Sequence, residues 1–198
     1  RWLHLYLSML GLFVLLFFSV TGITLNHADW FYSGARSSQE VEGQLDVTWV
    51  RRPTAPPEAD DSADPSSSVA KLEVVEFLRA RHPIHGAVVS FNADDLECAV
   101  VFKGPGFAAD VFIDRETGRY RLTQTEHGWI AVANDLHKGR DTGPVWSLLI
   151  DLSAVLLTCA SLTGLCLLFF IKRRRVHGLI VGVVGTLIVV LVVVLAVP

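Results

Sequence analysis

Apolar residues gather along the chain in three long runs, Trp2–Leu25, Val145–Ile171 and Leu179–Val197, with a polar stretch between the first two. Each run meets or approaches the ~20 apolar residues needed to cross a ~30 Å hydrocarbon core. The pattern predicts transmembrane helices over 2–27, 144–171 and 179–197, an outer region over 28–143 and a short basic turn over 172–178. The first run is too long for a signal peptide and lacks an A-x-A cleavage pattern. The chain opens on Arg1 rather than Met, so a few further residues are expected ahead of it.

The polar stretch has its own pattern. Asp29, Trp30 and Tyr32 follow the first run and suit an interfacial aromatic belt. Residues 53–68, with Pro53, Pro56, Pro57, Pro65 and three consecutive serines, read as a linker. Val69, Leu72, Val75 and Leu78 recur at close to helical spacing over 69–81, and His82-Pro83 stops that helix. Four β-type runs follow, Ala87–Phe91, Cys98–Phe102, Ala109–Ile113 and Tyr120–Thr123, separated by turn chemistry such as Gly104-Pro105-Gly106. The expected fold is an α-helical integral membrane protein with three transmembrane helices. It carries a small α+β domain, one helix on an antiparallel sheet, over about residues 69–125. A domain of that size has a thin core.

Charge sets the orientation. Lys172, Arg173, Arg174 and Arg175 fill the turn between the second and third spans, and Arg1 precedes the first. The positive-inside rule puts these in the cytoplasm and 28–143 outside. That outer region holds 12 Lys+Arg and 19 Asp+Glu, a net charge of −7. Over the whole chain, 51% hydrophobic and 19% charged residues exclude an ordinary soluble enzyme, a disordered chain and a basic nucleic-acid binder. Cys98, Cys159 and Cys166 make no disulfide framework, and the latter two read as small packing residues of one span. No Walker loop, dinucleotide fingerprint or metalloprotease motif appears.

The motifs, taken in order, resemble the PepSY-associated transmembrane proteins. The resemblance rests on Trp2-Leu3-His4 at the start of the first span, Thr21-Gly22 leading into Leu25-Asn26-His27, the hairpin Val111–Tyr120 with its Asp-x-x-Thr-Gly turn, the segment Asp135-Leu136-His137-Lys138-Gly139, and a second Thr-Gly at Thr163-Gly164. It covers nearly the whole chain apart from the linker and the third span. Larger relatives of this type include b-haem ferric-siderophore reductases, so the resemblance implies a PepSY domain and admits bound haem.

Four of the seven histidines fall at membrane boundaries. His27 and His137 approach the outer interface, and His4 and His177 the inner one. Two neutral imidazoles at matching depth are what bis-histidine haem ligation needs. The expectation is haem b, one or two, with His27 and His137 as axial ligands to iron, and His4 with His177 as a second pair. The residues alone also admit a plain interfacial role, since a histidine edge reaches headgroups or water. His4 and His27 would stand ~34 Å apart along a helix, the separation of an electron-transfer path across a bilayer. Small residues, among them Gly11, Ser19, Gly22, Ala160, Ser161 and Gly164, would let a flat cofactor approach, and Ser-x-Thr-Gly-x-x-Leu occurs in both spans (Ser19–Leu25, Ser161–Leu167). Asp151, inside the second span, either orients a ligand or propionate or reaches a serine or Arg140 near the interface. His127 is the reserve ligand. His82 and His85 read as a solvated loop, since Pro83 breaks the helix that would align them.

The expected function is therefore electron transfer by a membrane oxidoreductase component, to or from a periplasmic partner or cationic metal complex attracted to the acidic domain. The competing expectation is a cofactor-free, membrane-anchored PepSY module that scaffolds, inhibits or assembles a partner. A homo-oligomer or larger membrane complex fits the exposed third span.

Overall fold

The computed structural model describes residues 1–31, 36–51 and 69–197. The linker expected over 53–68 and Tyr32 of the aromatic juncture lie outside the described residues. Among the described residues, three helices are long and apolar enough to cross a membrane: α1 (Trp2–Asn26), α5 (Gly143–Phe170) and α6 (Arg175–Ala196). α6 has no buried residue. A face of valine and leucine all round is what a helix presents to lipid.

α6 begins at Arg175, inside the predicted basic turn, so His177 sits in its first helical turn and the turn itself shrinks to Lys172–Arg174. Two compact units partition the chain: Arg1–Phe17 with Leu148–Pro198, and Phe18–Ser147. Within the first, Gly11 lies under the Leu156 and Leu157 side chains, and Gly178 lies against Leu168.

The second unit holds a short helix α2 (Ala28–Phe31) and strand β1 (Arg36–Gln44). Helix α3 (Lys71–Arg81) and strands β2 (Ala87–Ala93), β3 (Glu97–Gly104), β4 (Phe107–Asp114) and β5 (Arg119–His127) follow, and then helix α4 (Trp129–Lys138). The sheet is antiparallel with order β1-β5-β4-β3-β2. Alternation sets its buried face: Cys98, Val100 and Phe102 from β3, Ala109, Val111 and Ile113 from β4, and Tyr120 and Leu122 from β5. Val74 and Leu78 of α3 close that core, joined by Leu45 and Val50. Burial pushes the Cys98 thiol above its ordinary range, which suits an inert packing residue.

The helix-on-sheet expectation is met, with one strand more than the four predicted. β1 precedes the predicted domain and adds an edge to β5, from Arg36 opposite His127 to Gln44 opposite Arg119. Val41 is its only large apolar residue and most of the strand is exposed on both faces. Backbone pairing therefore holds it, helped by Arg121 between Glu40 (3.1 Å) and Glu42 (3.6 Å). Exposed pairs of this kind contribute little. Gly43 is a packing requirement, because a Cβ there would come 2.4 Å from the Tyr120 hydroxyl.

The turn Asp114–Gly118 is more than a connection. Asp114 accepts from the backbone N–H and the hydroxyl of Thr117, and then from the Glu116 N–H, which holds its carboxyl below the usual range. Gly118 takes φ +70° against Leu45 and Val47, a left-handed conformation that favours glycine. Arg115 turns inward and is 2% exposed. Its Nε donates to the Val50 carbonyl at 2.7 Å, and its Nη1 donates to the Asp94 carbonyl.

Candidate functional site

α4 is the element that organises the site. Gly128 starts it, and Gly139 ends it in the left-handed region at φ 66°, its N–H bonded to the Asp135 and Leu136 carbonyls. Four consecutive residues of α4 then reach neighbouring segments. The Thr24 hydroxyl of α1 lies 2.6 Å from Asn134 Oδ1, and Asn134 is 1% exposed. Asp135 Oδ2 accepts from the Gly106 N–H at 2.9 Å, in the β3–β4 turn. The Leu136 carbonyl accepts from Trp146 Nε1, in the first turn of α5, at 2.8 Å. His137 Nδ1 lies 2.5 Å from the Thr21 hydroxyl of α1.

Gly106, at φ +68°, lets the turn approach α4: a Cβ there would meet Val132 at 2.5 Å. The His127 N–H donates to the Gly106 carbonyl at 2.8 Å. His127 thus ends β5 beside the turn that Asp135 holds, with its side chain exposed.

The His137 ring packs edge-on to Phe18 (5.0 Å between centroids) and over Gly22, where a Cβ would stand 3.7 Å from its Cε1. Among the described residues, its Nε2 has no hydrogen-bond partner. His27 is placed differently. Its ring stacks on Trp30 at 4.0 Å and 12°, and its Nε2 lies 3.5 Å from Asn26 Nδ2. The structure brings His137 to Thr21 and Gly22, and no contact joins it to His27 among the described residues.

The other unit contains a parallel arrangement. His4, in the first turn of α1, directs Nδ1 to the Thr163 hydroxyl (3.0 Å) and the Ala160 carbonyl (3.1 Å) of α5. Its ring lies over Gly164, where a Cβ would stand 3.1 Å from Cε1. Thr163 Oγ1 is also 2.9 Å from the carbonyls of both Cys159 and Ala160. A small cavity beside the ring is lined by Arg1, Leu3, Thr163, Cys166, Leu167 and Phe170.

His177 is exposed and makes no contact with His4 among the described residues. Asp151 is exposed on α5, and the serine two positions on, Ser153, is occupied by the Leu149 carbonyl. His82 departs from the solvated loop expected of it. Its Nε2 lies 2.8 Å from the Tyr120 hydroxyl, and burial, then the neighbouring Arg81, holds it below the ordinary histidine range. His85 meets the edge of Phe107.

The comparisons with known proteins agree with this architecture. The profile of the PepSY_TM-like family matches the chain over residues 1–198. The chain belongs to that family. No curated protein and no solved structure matches it. The Thr-Gly pairs and the Asp-Leu-His segment that carried the resemblance are, in this PepSY_TM-like chain, the residues that seat His4 and His137.

A metal-bound histidine typically has its second ring nitrogen fixed by an acceptor. His4 and His137 satisfy that requirement: Nδ1 is held, Nε2 has no hydrogen-bond partner among the described residues, and glycine lies under each ring. As donors, each could offer one imidazole nitrogen to a haem iron. Sequence reasoning placed these histidines by depth alone. The signal for their partners was the repeated Ser-x-Thr-Gly, whose threonine and glycine are the contacting residues.

Proposed function

We propose that this chain is a b-type cytochrome of a bacterial inner membrane, an electron-transfer component of a haem-dependent reductase. The supporting observation is the pair of anchored imidazoles, His4 on Thr163 and His137 on Thr21, each with no hydrogen-bond partner at Nε2 among the described residues. Haem iron, when bound, supplies reversible one-electron chemistry. His137 and His27 would hold it near the outer face, and His4 and His177 near the inner face.

Thr21 and Thr163 would orient the ligands, with Asp151 and His127 proposed as supporting polar groups. The outer region carries −7, which favours encounter with a basic partner or a cationic metal complex, ferric complexes among them, in the periplasm. The basic rim of Lys172–Arg175 supports a cytoplasmic N-terminus and a periplasmic domain.

A second reading is a cofactor-free PepSY module that docks or assembles a partner. Strand β1 favours it: among the described residues it is an edge of the sheet, and a free strand edge is a ready template for another chain. Reduced-minus-oxidised visible spectra of the purified chain, expressed with sufficient haem, separate the two. The cytochrome reading expects an α band that His137→Ala abolishes or shifts and His82→Ala leaves intact. No band, or a band indifferent to His27→Ala, His137→Ala and His4→Ala alike, overturns it.

A further inference from the structure

We infer that the two Ser-x-Thr-Gly segments, Ser19–Gly22 in α1 and Ser161–Gly164 in α5, are histidine clasps. Each fixes one imidazole, His137 or His4, with its proton on Nδ1 and its lone pair on Nε2, the nitrogen offered to a metal. Thr21 and Thr163 are positioning residues. The metal-binding consequence rests on the cytochrome reading, whereas the tautomer does not.

A carbonyl oxygen only accepts, so His4 Nδ1, 3.1 Å from the Ala160 carbonyl, must carry the hydrogen. The Thr163 hydroxyl has one proton, and the Cys159 and Ala160 carbonyls, both at 2.9 Å, take it. This is the usual back-bonding of a helical threonine. Its oxygen is then left to accept from the same Nδ1–H at 3.0 Å. With Nδ1 protonated, a neutral His4 has its lone pair on Nε2.

His137 repeats the pattern from the other side of the repeat. The Thr21 hydroxyl lies 3.4 Å from the Phe18 carbonyl three residues back and 2.5 Å from His137 Nδ1; no carbonyl touches this Nδ1 among the described residues, so the Nδ1–H form is inferred here from the shared motif. In both clasps the glycine after the threonine lies under Cε1 of the ring, at 3.1 Å for a Cβ at Gly164 and 3.7 Å at Gly22. One motif therefore supplies both the acceptor that sets the tautomer and the gap that admits the ring. The exchange is reciprocal: α1 contributes His4 and receives His137, and α5 contributes the clasp for His4.

The test reads tautomers directly. The full chain, with histidine labelled in its ring nitrogens, is placed in lipid nanodiscs without added haem at about pH 8, above the ordinary histidine pKa. Two-bond proton–nitrogen correlations then report which ring nitrogen is protonated. His4 and His137 are expected as Nδ1–H, while exposed His85 and His177 show the Nε2–H form favoured in water.

Thr21→Val should release His137 to the Nε2–H form and Thr21→Ser should restore it. Thr163→Val should shift His4 only in part, because the Ala160 carbonyl remains. Gly164→Ala, but not Gly22→Ala, should displace the clasped ring. Nε2–H at either histidine in the wild-type chain, or a His137 tautomer indifferent to Thr21→Val, overturns the inference. Clasped tautomers in a chain that never shows a haem band would leave the clasps standing and overturn the cytochrome reading. Haem bound by a chain whose free form is Nε2–H would do the reverse.

Discussion

Replacing Arg115 with methionine should cost the extramembrane domain far more than a turn substitution normally does. Arg115 is 2% exposed, and its guanidinium donates to the Val50 carbonyl (2.7 Å) and to the Asp94 carbonyl. It therefore ties the segment after β1 and the β2–β3 turn to the β4–β5 turn in which it sits. Methionine keeps much of the volume and removes both bonds, leaving two carbonyls without their donor. A hydrogen bond involving a charged group contributes about 1.5–3 kcal/mol. The loss should therefore be about 3–5 kcal/mol, a large share of the ~5–15 kcal/mol of a typical domain.

Hydrogen–deuterium exchange of the full chain in detergent measures this locally. At about 1.4 kcal/mol per tenfold, β3 and β4 amides should exchange some hundredfold to a few thousandfold faster in the variant. Arg115→Lys should recover little, since an ammonium cannot reproduce the planar fork that spans both carbonyls. Acceleration below about fivefold, or full recovery with lysine, would refute the clamp.

Two further outcomes follow from the same contacts. Asp135→Ala removes the acceptor of the Gly106 N–H, so exchange should rise about tenfold or more at Gly106 and His127 while β2 stays unchanged; uniform acceleration across the sheet would count against a local tether. The folded chain holds His82 below its ordinary range through burial and then Arg81, so the unfolded chain binds more protons just below pH ~6.5. Stability of the domain should be fully present above that value and fall as pH drops from it towards the folded pKa. His82→Gln should flatten that part of a melting-temperature profile against pH, and an unaltered slope would show that other groups carry it.

The parts of the fold legible in the sequence are those where burial and periodicity agree. The three spans have almost no competing polar residue. In β3 the alternation of Cys98, Val100 and Phe102 with Glu97 and Lys103 gives the strand and its face together. β1 escaped because Arg36–Gln44 has one large apolar side chain and two solvated faces, so its stabilisation lies in backbone pairing that no side chain reports. Arg115 escaped because an arginine in a turn reads as solvated, and only the carbonyls of Val50 and Asp94, distant in sequence, draw it in.

At the candidate site, the boundary histidines were legible as a group and their contacts were not. Depth follows from sequence position, but which side of a helix faces a neighbour does not, when nearly every side chain in the span is apolar. Depth paired His137 with His27, and its contacts with Thr21 and Gly22 are what the sequence left unseen.

α4 shows what that rotation means for function. Successive residues of a helix point about 100° apart, so four in a row sweep most of the way round its axis. Asn134, Asp135 and His137 use side chains, and Leu136 its carbonyl, to reach α1, the β3–β4 turn, α1 again and α5. That is why the four tie α4 to three neighbouring segments at once. It is also why the ring of His137 is not independent of the domain. Asp135 is held by the β3–β4 turn, and two positions on the same helix carry the histidine. A partner that shifts the Gly104–Gly106 turn must move Asp135 with it, or break a charge-assisted bond worth about 1.5–3 kcal/mol. The first course displaces α4 two residues before His137 and so disturbs its seat on Thr21 and Gly22, whereas the second leaves the helix in place.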